Sequence, residues 1–324
     1  MTAVSARPPL IRAGAQLRSV RWHRPLLWLA GGMAGLIFAA LVALLVDPRE
    51  LTGAPLWMKP LKFAISVLIY SVTLSWLIGL VQRGRRVARM AGSVVAVFLA
   101  VEMVVIVGTA AVGVTSHFNA ATPLATTLWA VMAGSIGVVW IASLAIAAVL
   151  FAANLGDRGR SVAIRAGFGI ALVGMALGFL MTSPTAAQLD DFQGIAGAHT
   201  VGVADGGPGL PLVGWSTVAG DLRIPHFVGM HALQVLPLLA LALELGGRRL
   251  RALQSERTRY RLLLVAVAAY AGALAVLTIQ ALLGQSIVQP TGGILIAEVA
   301  LLLATAVAAG AMLRTGRSDP STTR

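Results

Sequence analysis

The chain has 324 residues, 58% hydrophobic and 11% charged, with a mean hydropathy of +0.86. Soluble domains carry roughly 25% charged residues, so this composition excludes a water-soluble globule and a disordered chain alike, and specifies an all-α integral membrane protein. A net charge of +13 would suggest nucleic acid in a soluble protein; here it is read by position, and the lack of cysteine excludes disulfides, thiolate metal sites and cysteine nucleophiles.

A membrane-spanning helix needs about 20 mostly apolar residues. After a basic stretch over 1–24, eight segments qualify: 25–46, 61–82, 90–114, 124–154, 163–182, 226–246, 262–284 and 291–313. The first is span-length rather than the short apolar core of a signal peptide, so it is read as retained. The fourth is long enough to tilt or to project beyond the bilayer. None alternates with period 2 as a membrane barrel strand does.

Orientation follows from the basic residues. With the N-terminus inside, segments 1–24, 83–89, 155–165, 247–261 and 314–324 hold 21 of the 25 Lys and Arg, and only Arg49, Lys59, Lys62 and Arg223 fall outside. Lys and Arg collect in cytoplasmic loops, so both termini are placed in the cytoplasm of a cell (inner or plasma) membrane. The organisation is a cytoplasmic tail over 1–24, one eight-helix domain over 25–313 and a second tail over 314–324. The arginine-rich loop 247–261 is placed on anionic inner-leaflet lipids or read as an ordinary positive loop. The longest loop, 183–225, lies outside, without regular structure, as a lid or a flexible cap.

Pro60-Leu61-Lys62-Phe63 followed by Gly84-Arg85-Arg86 matches Pro225-His226-Phe227 followed by Gly247-Arg248-Arg249 in order and spacing. That suggests a weak 4+4 parallel repeat, as in some transporters. Small residues at Gly31/Gly35, Gly174/Gly178 and Ala163/Gly167/Ala171 stand at helix-packing spacing.

Ionisable groups inside spans are costly, so each is a functional candidate. Glu102 sits twelve residues before the outer end of span 3, about 18 Å deep, with Thr109 and Ser116 following at i+7 and i+14 on the same face. Glu298 lies about 10 Å below the outer surface. Both are candidates for a proton or ion path. Lys62, Ser66, Tyr70 and Thr73 form a polar stripe on span 2; Lys59 and Lys62 suit an anionic ligand, or simply snorkel to the interface. His117, His199, His226 and His231 lie on the outer side, with Gln234 one turn beyond His231 and Pro237 placed to kink the helix. His117, His226 and His231 are the histidines available to a divalent metal or haem, although no His-Glu-x-x-His or His-x-x-x-His pattern occurs.

These groups define an outward-facing polar pocket within about 12 Å of the surface. It comprises Lys62, Ser66, His117, His231, Gln234, Gln280 and Glu298, with Asp221 and Arg223 from the covering loop. The primary reading is binding or transport of a small molecule or ion from the outer side. The alternative is a membrane-embedded haem- or metal-dependent enzyme, and the third is a structural or assembly protein. No nucleic-acid partner is expected.

The blocks Lys59-Pro60-Leu61-Lys62-Phe63, Thr115-Ser116-His117-Phe118-Asn119 and Gly220-Asp221-Leu222-Arg223 with His226-Phe227 and His231-Ala232-Leu233-Gln234 resemble those of uncharacterised multi-pass membrane proteins of high-GC bacteria, which implies no activity. Eight spans in two halves with outward histidines also resemble haem A synthase. Its paired-histidine pattern is not met, because the outer side of the first half offers only His117.

The topology is testable because the chain is naturally cysteine-free. Arg249→Cys should label with an impermeant maleimide only after the membrane is opened, and Asp190→Cys in intact cells. The reverse pattern would invert the orientation.

Overall fold

The computed structural model describes residues 20–317. The tail expected over 1–24 falls mostly, and that over 314–324 partly, outside the described residues. Eight helices are long and apolar enough to cross a membrane. They are α1 (Arg24–Val46), α2 (Met58–Leu80), α3 (Arg85–Ala111), α4 (Pro123–Ala152), α5 (Arg158–Leu177), α6 (Arg223–Gly246), α7 (Glu256–Leu282) and α8 (Gly292–Arg317). The protein is accordingly a multi-pass integral membrane protein.

Helix starts follow local chemistry. Thr122 caps α4 by accepting from the Ala125 amide, with Pro123 in the first turn, and Asp157 caps α5 by accepting from the Arg160 amide. Pro237 lies within α6, and the helix continues through it to Gly246.

The packing has the same plan in both halves. The first three helices of each half pack mutually and the fourth packs on the third: α1, α2 and α3 with α4 on α3, then α5, α6 and α7 with α8 on α7. The third helices match closely. Both α3 and α7 have 27 residues. Gly113 and Gly284 follow them at φ +77° and +72°. In α3 the amides of Gly113 and Val114 bond the carbonyls of Ala110 and Thr109; in α7 those of Gly284 and Gln285 bond Ala281 and Gln280. These are the paired bonds of a Schellman cap.

The main core joins α1–α4 to Ile164, Phe168 and Ala171 of α5 and Leu233 of α6. Polar bonds cross the same seam: Trp140 Nε1 donates to Leu172 O, and Gln234 Nε2 donates to Thr73 Oγ1. At the arginine-rich end, Arg160 of α5 pairs with Glu244 of α6 at 2.6 Å. His23, the residue before α1, is also buried there. Its amide donates to Ser75 Oγ, and its Nε2 lies 2.9 Å from the Arg89 carbonyl, tying the entry of α1 to α2 and α3. Sequence inspection assigned it no role.

Of the small-residue sites, Gly174 is a true crossing point, because a Cβ there would lie 2.5 Å from the Gly229 backbone. Gly31 and Gly35 face open space.

The loop 183–225 is more structured than expected. It holds a one-turn helix, Ala186–Asp190, with a capping box at Thr185, and a short antiparallel pair, Thr200–Val201 against Gly220–Asp221. Its inner segment lies on the chain after α3, where the Ala120 amide bonds Gly194 O and the Ala196 amide bonds Phe118 O. It therefore covers the arginine-poor end as a packed cap.

Gly174→Val should destabilise the purified protein by about 1–3 kcal/mol or more through overpacking, read as a lowered melting temperature. Gly35→Ala should leave the melt unchanged.

Candidate functional site

Four cations lie at the arginine-poor end, and three have local partners. Arg49 pairs with Asp47 at 2.7 Å and donates to the Ala111 carbonyl at the end of α3. Hydrogen bonds from Arg49 and then Trp57 hold the Asp47 carboxyl well below the usual carboxylate range. Arg223 pairs with Asp221 at 2.6 Å and donates to Gly214 O. Lys62 donates to Val213 O on the covering loop at 3.2 Å. Lys59 differs: its ammonium forms no hydrogen bond or ion pair with any described residue.

Lys59 stands in the first turn of α2, close enough to Glu102 of α3 for their charges to interact. Glu102 is 2% exposed and its Oε2 has no partner. Its Oε1 lies 3.7 Å from His117 Nε2, longer than a hydrogen bond.

His117 reaches Glu102 because α3 stops early. The cap at Gly113 ends the helix at Ala111, so Ser116 lies on a returning loop and not on the Glu102 face. This corrects the expected continuous stripe. It also puts Glu102 about 13 Å from the helix end instead of 18 Å. Thr109 donates to Val105 O of its own helix, and Ser116 Oγ lies 3.1 Å from His117 Nδ1. Burial, and then repulsion from Lys59 and His199, pushes the His117 imidazole well below its ordinary range. It is neutral at pH 7. Its ring centroid lies 5.3 Å from Phe63, 5.5 Å from Trp129 and 6.0 Å from Phe118.

The result is a small polar site with apolar walls, made of a lysine, a carboxylate with an unpaired oxygen, and a neutral imidazole. Lys59 stood outside the sequence-derived set. The signal for it was present, since it is one of only two lysines and falls outside the arginine-rich segments.

The other expected members do not converge on this site. Ser66 is half-buried on α2 without a hydrogen-bond partner. His226 Nδ1 lies 2.8 Å from Gly174 O, an α5–α6 bond, and His231 Nδ1 lies 2.8 Å from Phe227 O in its own helix. Gln234 is taken up by Thr73. Gln280 is buried at the end of α7, where its Nε2 donates to Ser286 O and its Oε1 is unpartnered, in a crevice shared with Asp221, Ile224 and Gln285. Glu298 lies half-buried on α8, which packs on α7 and on the turn Arg251–Leu253. It is not brought to Glu102, so the two do not form one path. Among the described residues, no three of His, Asp and Glu gather to hold a metal ion.

Above the site, His199 Nδ1 lies 2.6 Å from Asp205 Oδ2. Burial alone would raise the Asp205 carboxyl. The hydrogen bond and charge of His199, with the amides of Thr200 and His199, outweigh it and hold the carboxyl well below the usual range.

Comparison with known proteins finds no matching family model, no matching curated protein and no matching solved structure.

Because the folded value of Asp205 is depressed, its contribution is complete above the ordinary carboxylate value, about 3.9, and drains away as pH falls below it. Amide protection factors of residues 199–206, taken against the intrinsic exchange rate at each pH, should be high at pH 7 and fall on acidification below that value. Asp205→Asn should give fast exchange already at pH 7; equal protection in the variant would show the contacts to be inert.

Proposed function

We propose that the protein binds, and by its two-half construction carries across the membrane, a small anionic solute together with a proton. The observation that carries this reading is the unpaired, buried Glu102 carboxylate beside the unbonded Lys59 ammonium. A buried charge needs a partner, and among the described residues each is the only nearby opposite charge for the other. Protonation of Glu102 would remove the counter-charge of Lys59, and an anion entering from the outer side would replace it. Proton and anion thereby strengthen each other's binding, as linkage requires. Lys62 and Arg223, whose charges also act on Lys59, add to the attraction for an anion. Neutral His117 supplies a hydrogen-bond donor or acceptor at the same point.

The matching packing plan and the matching caps of α3 and α7 support a parallel 4+4 duplication, in which both halves enter from the cytoplasm. Such a duplication gives two bodies that can move against each other, with the Glu102 site carried by the first.

The reading is tested by thermal melts in nanodiscs at pH 5 and pH 8 with acetate, lactate, phosphate or sulfate. At least one anion should raise the wild-type melting temperature by about 5 °C at saturation, more at pH 5 than at pH 8. Glu102→Gln should keep the shift at both pH values, and Lys59→Met should lose it at both. A shift that ignores both substitutions would remove the site from the binding event.

A further inference from the structure

The chain between α3 and α4 carries an unusual backbone. Phe118 has φ +64°, in the left-handed region that a bulky residue rarely occupies. The covering loop holds it there. The Ala196 amide bonds the Phe118 carbonyl, and Gly197 lies so close that a Cβ would come within 2.6 Å of the Phe118 ring. That ring is 5% exposed and stands between two histidines, with centroids 6.0 Å from His117 and 4.9 Å from His199. Trp129 backs it at 5.2 Å.

His199 on the far side is held through one ring nitrogen and open at the other. Asp205 fixes its orientation through Nδ1 and also receives the amides of His199 and Thr200 and the Thr200 hydroxyl. Nε2 has no partner among the described residues, and the side chain is 27% exposed. The charged and titratable groups facing it are Asp205, His117 and His226; those facing His117 are Glu102, Lys59 and His199.

We propose that Phe118 is the outer gate of the Glu102 site and that the His199–Asp205 dyad delivers protons to it. This rests on Glu102 being the proton acceptor. A proton from solvent binds His199 Nε2, giving an imidazolium held by Asp205. When the Phe118 ring swings aside, water enters the gap and relays the proton from His199 to His117 and then to Glu102, and His199 returns to its neutral form. One proton enters and one is bound, and only N–H and O–H bonds form or break. The positive φ of Phe118 and the glycine at its contact point mark it as the strained element of this cap.

The test is deuterium exchange of the Glu102 carboxyl in the full chain in nanodiscs, followed by the infrared C=O band that Glu102→Gln removes, at a pH where titration shows that band. His199→Asn should lengthen the exchange half-time by about tenfold or more. Phe118→Ala should shorten it and abolish its dependence on His199, whereas Phe118→Leu, which refills the space, should exchange like wild type. Melting curves establish that each variant is folded, and Phe118→Leu with His199→Asn carries the test if Phe118→Ala is not. Equal half-times in wild type and His199→Asn, or no acceleration in a folded Phe118→Ala, would overturn the gate while leaving Glu102 as acceptor. Absence of any Glu102-dependent band at every pH would overturn the underlying reading as well.

Discussion

In an apolar interior a polar atom has no water to fall back on, so each must find a partner within the protein. This bundle meets that constraint mostly with helix backbone. Thr73, Thr109, Ser143, Thr278 and Thr305 each turn their hydroxyl back to the carbonyl four residues earlier. Longer groups reach across to a neighbouring helix, as Trp140 does to Leu172 O, Tyr270 to Val228 O and His226 to Gly174 O. These bonds stitch helices that no hydrophobic force drives together in lipid. They also give the exceptions meaning. Unpartnered Oε2 of Glu102 breaks the pattern beside a lysine that does the same.

The cations at the arginine-poor end show how that exception differs from ordinary charge neutralisation. Asp47–Arg49, directly after α1, and Asp221–Arg223, at the start of α6, join residues two apart in sequence and close to contact. Their work is structural: Arg49 also holds the end of α3, and Asp221 receives the Ser216 amide as well. Lys59 and Glu102 come from different helices and stop short of contact. A pair that neutralises itself at 2.6 Å has nothing left to offer a solute; one held apart does.

Much of the fold was legible in the chain. Apolar length and the placing of arginine between runs mark all eight helices, because both follow directly from the bilayer. Helix ends were less legible. Gly113 ends α3 through a cap that hydropathy does not register, and the run to Val114 looks continuous on that scale. The error matters, since the early stop is what lets His117 fold back to Glu102. Depth and face, read along single helices, singled out Glu102 and His117 but also gathered Glu298, Gln280 and His231 into one layer. The structure assigns these to separate neighbours, and neighbour choice depends on close approaches such as Gly174 against Gly229. The capping loop was least legible, because its order comes from Asp205, Thr185 and backbone bonds across long sequence gaps.

The proposed duplication sharpens what is particular about the site. Both third helices end in the same cap, and each cap covers a buried polar residue at the same position, Thr109 in α3 and Gln280 in α7. A duplicated frame explains the shared cap without any function. It does not explain why only the first half has acquired a carboxylate seven residues deeper, a lysine opposite it and an imidazole returning from the cap. In the second half the corresponding entry residue, Arg223, is consumed by its own neighbour, and Gln280 carries no charge. Equal frames with unequal charge fit the proposed carrier, in which the first half binds and the second moves against it. A scaffold would gain nothing from leaving Glu102 unpaired.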